Sequence, residues 1–180
     1  MILRAAAFAA QRHQDQRRKG KSDRPYIGHT LEVAELIATV GGVENVHVLA
    51  AAILHDTVED TATTSAEIGR RFGPKIQKLV AEVTDPPGLK GQKRRDWQVE
   101  HVRRISRGAK LIKLADRISN VGEIMTDPPR HWDLERRKRY YQWSTRVVGA
   151  IGRVNPPLED LLAKTLRRAM AALAREDAKD

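Results

Sequence analysis

Apolar residues recur every three or four positions along most of this chain, which is the spacing of one buried face of an α-helix. The stripe of Leu158, Leu162 and Leu166 near the C-terminal end is a clear example. Runs that alternate between β-branched and polar residues are not evident, and no Asn-Gly hairpin turn occurs. The pattern therefore predicts an all-α fold, with one domain over residues 1–180.

Pairs of helix-breaking residues separate the predicted helices. These pairs are Gly41-Gly42, Pro86-Pro87, Pro128-Pro129 and Pro156-Pro157. The predicted helices cover residues 2–14, 28–40, 44–56, 65–72, 74–84, 109–125, 130–153 and 157–175. Thr64 and Glu67 have the spacing of a capping box at the start of the fourth of these helices. The charged segment 91–106 is compatible with either a helix or a loop.

The composition narrows the classes of protein that fit this sequence. The 180 residues include no cysteine, which excludes disulfides, thiolate metal sites and cysteine nucleophiles. No apolar run approaches the roughly 18 residues of a membrane span. The absence of cysteine fits the cytosol, and we expect a cytoplasmic location. The basic segment 1–19 also resembles a transit peptide, but its apolar face favours the first helix of the domain.

The chain is strongly basic, with 33 Lys and Arg against 23 Asp and Glu, a net charge of +10. A charge of this size indicates a polyanionic partner, which could be nucleic acid, an anionic membrane or a phosphorylated metabolite. The charge alone does not distinguish among these three.

A charged sequence at the end of an apolar helix is the most informative feature of the chain. Residues 46–54 are almost wholly apolar, and His55-Asp56-Thr57-Val58-Glu59-Asp60 follows directly. Ionisable groups are costly to bury unless they are paired or bind a metal. His29 and Asp116, each beside or within an apolar helix, are two further candidate ligands. With His55 and Asp56 they would form a mixed nitrogen and oxygen site suited to manganese, iron or zinc; the alternative is four unrelated polar residues.

Glu59 and Asp60 each follow a candidate ligand by four residues. On a continuing helix this spacing places them on the same face as His55 and Asp56. There they could act as a general base or position a water molecule. The alternative interpretation is an exposed acidic turn that caps the next helix.

Four motifs occur in order along the chain and together resemble the HD hydrolase domain of RelA/SpoT-type proteins. They are Arg17-Arg18-Lys19, Pro25-Tyr26-Ile27-Gly28-His29, Leu54 to Asp60, and Ala109 to Asp116. The likeness covers about residues 4–155, and the chain is similar in length to the stand-alone small alarmone hydrolases, including the metazoan form. The joint pattern is far more specific than any single motif.

The resemblance implies an all-helical HD domain that binds one manganese ion. The implied metal ligands are His29, His55, Asp56 and Asp116, and the implied catalytic pair is Glu59 and Asp60. The implied reaction removes the 3′-diphosphate of the guanine nucleotide alarmones ppGpp and pppGpp as pyrophosphate and leaves GDP or GTP. The metazoan-like members also resemble phosphatases that remove the 2′-phosphate of NADPH, which is the alternative function.

A crowded polyphosphate requires cationic side chains, and the resemblance indicates which residues line the pocket. The candidates for substrate binding are Arg18, Lys19, Tyr26, Asn120, Arg136 and Tyr140. For the basic residues the alternative is a solvated helix face. Thr30 stands where the family usually has proline, and Ser119 stands where it usually has an aromatic residue. We therefore expect a looser pocket wall near Ser119.

A basic helical nucleic-acid-binding module is the remaining alternative. It would explain the charge but not the four candidate ligands together, and no helix-turn-helix register or aromatic platform is evident. We therefore expect neither a nucleic acid nor a membrane as partner. The basic segment 86–107 matches the family poorly, and we expect it to form a flap over the phosphates.

Overall fold

Ten α-helices make up the part of the chain that the computed structural model describes, residues 1–178. They are α1 (Ile2–Arg12), α2 (Ile27–Thr39), α3 (Val46–Leu54), α4 (Thr57–Asp60), α5 (Ser65–Phe72), α6 (Pro74–Val83), α7 (Gly91–His101), α8 (Arg107–Thr126), α9 (Leu134–Ile151) and α10 (Pro156–Asp177). The prediction of an all-α fold is confirmed. Within the described range, β pairing is limited to one isolated bridge between Arg17 and Pro25.

Side-chain caps define where several of these helices begin. Asn45, Ser106 and Asn155 each accept a hydrogen bond from a backbone N–H in the first turn of α3, α8 and α10. Thr64 accepts one from the amide of Glu67, as the capping motif predicts. The prediction that α9 begins at residue 130 is wrong, because Asp133 caps the helix and α9 begins four residues later.

Helix α3 lies at the centre of the fold, in contact with α1, α2, α6 and α8. Ala50, Ala51 and Ala52 are fully buried, and their small side chains allow the neighbouring helices to approach closely. The α3 helix ends at Leu54, so the residues that follow it emerge inside the protein rather than at its surface. This position explains how a charged sequence comes to lie beside the hydrophobic core.

Helix α8 is the second element that positions the site. It packs against α10, α2, α6, α9 and α3, and most of its side chains are buried. Asp116 and Arg117 lie at its middle and are only 7% and 6% exposed.

Among residues 1–178, no helix combines the length and the hydropathy that a membrane span needs. The predicted domain extends to residue 180, and its last two residues lie outside the described range.

Candidate active site

Three core helices bring two histidines and an aspartate into one buried cluster. His29 lies on α2, His55 directly follows α3, and Asp116 lies on α8. The Nε2 atom of His29 is 3.3 Å from Oδ1 of Asp116, and the Nε2 atom of His55 is 3.8 Å from the same oxygen. One potential ligand atom from each residue lies within 4.8 Å of the other two.

Asp56 joins this cluster from the side that faces solvent. Its Oδ2 atom is 2.9 Å from Nε2 of His55 and 3.7 Å from Nε2 of His29. The Asp56 side chain is 19% exposed, against 2% and 4% for the two imidazoles. The structure thus brings together all four candidate metal ligands, from segments up to 87 residues apart in the case of His29 and Asp116.

The hydrogen bonds of the two imidazoles fit a divalent cation between them. The Nδ1 atom of His55 lies 2.7 Å from the carbonyl oxygen of Ala52, and a carbonyl only accepts, so this nitrogen carries the proton. The Nδ1 atom of His29 lies 2.9 Å from Oγ of Ser119. Both Nε2 atoms are buried without a hydrogen-bond partner among the described residues. Two orphaned imidazole nitrogens facing two carboxylates form a donor set that suits a divalent metal ion.

The charges of the cluster are strongly coupled. Burial lowers the pKa of His29. Burial also acts to lower the pKa of His55, but the carboxylates of Asp56 and Asp116 outweigh it and raise that pKa to about 9. The imidazoles in turn hold the pKa of Asp56 well below its usual range, although burial opposes this. A metal ion bound at His55 would compete with a proton for Nε2, so metal binding there would be linked to proton release.

A buried arginine supports Asp116 from behind. Burial of the Arg117 guanidinium disfavours its positive charge, and two contacts compensate for this. The guanidinium lies 3.7 Å from the Asp116 carboxylate and donates a 2.9 Å hydrogen bond to the Tyr140 hydroxyl. It also lies 4.2 Å from the centre of the Trp143 ring, a cation–π contact. Arg117 helps to hold the pKa of Asp116 well below its usual range against the effect of burial.

Tyr26 contacts a candidate ligand directly. Its hydroxyl donates a 2.6 Å hydrogen bond to Oδ2 of Asp56, and its ring meets the His29 ring edge to face at 5.5 Å. Burial and the Asp56 carboxylate raise the pKa of this phenol far above its usual range. Tyr26 therefore remains a hydrogen-bond donor that orients Asp56.

Glu59 lies on α4 and forms an ion pair with Arg94 of α7. The same guanidinium pairs with Asp85, which also accepts a hydrogen bond from Gln98. The backbone amide of Asp85 lies 3.3 Å from Oε2 of Glu59. Burial and the charge of Asp85 raise the pKa of Glu59, while the charge of Arg94 acts in the opposite direction. Glu59 is thus a carboxylate whose protonation is adjusted by two charged neighbours.

Asp60 is held by a separate hydrogen-bonded chain. The Gln16 side-chain amide donates a 2.9 Å hydrogen bond to Oδ2 of Asp60. The side-chain carbonyl oxygen of Gln16 therefore accepts a hydrogen bond from Nδ1 of His13, which lies 2.6 Å away. His13 is 1% exposed and packs against the Tyr26 ring. His13 therefore lies behind Asp60 and is linked to it through Gln16.

The carboxylates of this cluster open into a cleft of about 560 Å³, a volume in the range of small-molecule binding sites. All six candidates for substrate binding line it, as do Asp56, Glu59, Asp60 and Asp116. Lys19 and Arg136 are exposed at its rim. Arg136 stacks on the ring of Trp132, with its guanidinium carbon 4.7 Å from the ring centre.

Arg18 and Asn120, two further candidates for substrate contact, are engaged within the protein, as Tyr26 and Tyr140 are. Arg18 forms an ion pair with Glu123 and donates a 2.9 Å hydrogen bond to the side-chain oxygen of Asn120. The Asn120 amide nitrogen donates a 2.5 Å hydrogen bond to Oδ1 of Asp116. The expectation of a looser pocket wall at Ser119 is not met, because Ser119 is buried behind His29 and does not line this cleft.

Most of this helical chain matches the sequence model of a known domain family. The model of the HD domain family matches residues 5–140, well over half of the chain. The chain belongs to the HD domain family. The matched range includes all four candidate metal ligands and the acidic pair.

Known HD proteins resemble the chain over nearly its whole length. It is 43% identical over 162 residues to the guanosine-3′,5′-bis(diphosphate) 3′-pyrophosphohydrolase MESH1 of Xenopus tropicalis, with 90% of each chain covered. The protein of the same name from Homo sapiens is 42% identical over 161 residues, which cover 89% of this chain and 90% of the relative. A solved structure of a metazoan ortholog of SpoT that hydrolyzes ppGpp is 36% identical, covers 93% of this chain and 94% of its own, and has a TM-score of 0.90. These matches confirm the resemblance that the motifs indicated.

Several residues that hold this HD site in place were not predicted from the sequence. Arg117 could have been found, because a second charge directly after Asp116 in an apolar helix needs a buried partner. Arg94 gave a weaker signal, since α7 carries many charged residues, and Asp85 lies in the connection before that helix. Gln16 gave none, and the sequence marked Ser119 only as a departure from the family pattern, because the roles of both depend on contacts with helices distant in sequence.

Proposed function

We propose that this protein hydrolyses the 3′-diphosphate of ppGpp and pppGpp, releasing pyrophosphate and leaving GDP or GTP. One observation carries the proposal: a buried His-His-Asp cluster lies at the floor of a cleft whose rim is cationic. Such a floor suits a hydrolytic metal, and such a rim suits a polyphosphate. The name of the Xenopus relative and the ppGpp activity of the metazoan SpoT ortholog support the choice of substrate.

We assign the metal ligands as His29, His55, Asp56 and Asp116, with manganese as the ion. A bound divalent metal supplies a lowered water pKa and charge stabilisation at the phosphoryl group. Two imidazoles and two carboxylates suit manganese, though the same donors also accept iron or zinc. Tyr26 would keep Asp56 oriented toward the ion, and Arg117 would do the same for Asp116.

The acidic pair is assigned to activating and orienting the attacking water. Glu59 would accept the proton of the attacking water, because its raised pKa makes it a stronger base than an ordinary glutamate. Asp60, held by Gln16, would orient that water. Attack at the phosphorus bonded to the 3′ oxygen would break the bond between them, so that the diphosphate leaves as one pyrophosphate unit. Glu59 would return the proton taken from water to the 3′ oxygen, which restores the 3′ hydroxyl of the nucleotide.

The rim is assigned to substrate binding. Lys19 and Arg136 would contact the phosphates, since both are exposed and line the cleft. Arg18 would contribute its positive charge while remaining paired with Glu123. Tyr140 and Trp132 provide an aromatic wall for the nucleoside, because their rings pack together at 5.5 Å. Asn120 would stabilise Asp116 and present its remaining hydrogen-bonding capacity to the ribose.

The remaining parts of the proposal concern the whole molecule. We propose one catalytic domain over residues 1–180, supported by the family match over residues 5–140 and by relatives of similar length. We propose that it acts in the cytoplasm on a soluble nucleotide and needs no nucleic acid or membrane partner. The net charge of +10 then serves the polyanionic substrate.

The test is hydrolysis by purified, chelator-stripped protein with and without manganese. We expect metal-dependent conversion of ppGpp into GDP and intact pyrophosphate in equal amounts. NADPH is assayed in parallel, and phosphate release from NADPH alone would replace the proposed substrate while keeping the metal site. Turnover of ppGpp that is unaffected by chelator would contradict the metal assignment.

A further inference from the structure

The second nitrogen of His29 takes part in a hydrogen-bonded chain that the proposed reaction does not use. Nδ1 of His29 lies 2.9 Å from Oγ of Ser119, and this oxygen lies 2.7 Å from Oε2 of Glu32. His29 and Ser119 are only 4% and 3% exposed, while Glu32 is at the surface. The chain therefore runs from the buried cluster to solvent.

Hydrogen-bond counting fixes the direction of each bond in this chain. An ionised carboxylate only accepts, so the Ser119 hydroxyl donates its single proton to Glu32. The same hydroxyl then has only lone pairs to offer His29, so Nδ1 of His29 must be the donor. A neutral imidazole with its proton on Nδ1 leaves Nε2 free to bind a metal.

Glu32 is needed because a serine hydroxyl alone can either donate a hydrogen bond to Nδ1 of His29 or accept one from it. Without an acceptor on its other side, the Ser119 hydroxyl could rotate and donate to Nδ1. That arrangement would favour the tautomer with the proton on Nε2, which cannot bind a metal. Packing does not prevent the rotation, because Ser119 and Glu32 border a second cavity of about 260 Å³.

The hydrogen-bonded chain connects the helices that carry two of the assigned metal ligands. Glu32 lies one turn after His29 on α2, and Ser119 lies one turn after Asp116 on α8. The bond between Ser119 and Glu32 thus joins the two helices at the level of the cluster. A change in this bond would alter both the tautomer of His29 and its distance from Asp116.

We propose that Ser119 and Glu32 are positioning residues that hold His29 in its metal-binding tautomer and thereby set the metal affinity of this protein. The inference rests on the metal site of the proposed function, but not on the identity of the substrate. Neither residue touches the substrate cleft. Outer partners of metal-bound histidines commonly change metal affinity by about 10–100-fold when removed.

The test compares metal affinity in four variants by titrating Mn²⁺ into chelator-stripped protein and measuring free Mn²⁺ by electron paramagnetic resonance. We expect Ser119→Ala and Glu32→Ala to weaken binding by about 10–100-fold. Ser119→Thr keeps the hydroxyl and should restore affinity close to that of the wild type. Ser144→Ala is the matched control, because Ser144 is equally buried and its hydroxyl has no hydrogen-bond partner among the described residues.

A second measurement reads the tautomer without metal. Long-range ¹H–¹⁵N imidazole spectra of the metal-free protein should show His29 protonated on Nδ1 in the wild type. In Ser119→Ala and Glu32→Ala we expect a new population protonated on Nε2. Unchanged tautomer and unchanged Mn²⁺ affinity in both variants would overturn the inference. A wild type that binds Mn²⁺ but does not cleave ppGpp would instead contradict the proposed substrate and leave this inference standing.

Discussion

The floor and the rim of the cleft are built in opposite ways. On the floor, His29, His55 and Asp116 are at most 7% exposed, and each has a fixed contact in addition to the cluster itself. At the rim, Lys19 and Arg136 project into solvent from the protein surface. The geometry of the floor is therefore set by core packing, whereas the rim side chains are exposed, with Arg136 resting on the Trp132 ring. Changes to the floor should affect chemistry, and changes to the rim should affect affinity.

His55→Ala is the most severe test of this contrast. Removing the imidazole deletes one ligand and leaves a buried gap between Asp56 and Asp116. We expect metal binding and turnover to be lost together, with kcat reduced by at least about 10³-fold, because a bound metal supplies several kcal/mol of transition-state stabilisation. Metal content by elemental analysis and ppGpp hydrolysis measure the two effects. Full activity with metal retained would show that the floor is not the metal site.

Glu59→Gln separates the chemistry from the metal. The amide keeps the size of the side chain but cannot accept a proton, so we expect kcat to fall on the order of 10²-fold or more. Because Glu59 contacts Arg94 and Asp85 rather than the metal cluster, the metal content should be unchanged. Parallel loss of metal in this variant would make Glu59 a ligand and extend the floor to α4. Gln92→Glu on the exposed side of α7 controls for a general effect of exchanging amide and carboxylate.

Arg136→Ala tests the rim. A hydrogen bond to a charged group contributes about 1.5 kcal/mol, so its loss should raise KM for ppGpp by about tenfold. We expect kcat to change little, because uniform binding affects the ground state and the transition state alike. Arg146→Ala, an exposed change further along α9, should leave KM unaltered. An unchanged KM in Arg136→Ala would place this residue outside the binding surface, and a lower kcat would assign it to the transition state.

The same contrast explains what the sequence could predict. The floor was predictable in two steps: an aspartate within an apolar helix, as at Asp116, needs a partner, and the resemblance to the HD hydrolase domain joined it with His29, His55 and Asp56 into one site. The contacts of Ser119 with Glu32 and of Gln16 with Asp60 were not predictable, because they join helices whose relative position depends on core packing. The predicted start of α9 was too early, because the residues after Pro129 form a turn and the helix begins only after its cap at Asp133.

Arg94 lies between the floor and the rim of the cleft, and we expect its substitution to shift the pH dependence of kcat rather than to abolish turnover. Its side chain is 42% exposed, yet it pairs with both Glu59 and the buried Asp85. A base must be ionised to act, so kcat should fall as the pH drops through the pKa of Glu59. Burial and Asp85 raise that pKa, and the Arg94 charge lowers it. We therefore expect Arg94→Gln to move the acidic limb of the kcat profile to higher pH.

Asp85→Asn provides the opposite change within the same network. It removes a negative charge near Glu59 while keeping the backbone amide that Glu59 contacts. The ionised form of Glu59 then becomes easier to form, so the acidic limb should move to lower pH. Arg103→Gln, an exposed change beyond the end of α7, should leave the limb in place. Shifts of the same sign in Arg94→Gln and Asp85→Asn would mean that another group controls the limb, because two neighbours of opposite charge cannot move one carboxyl pKa in the same direction.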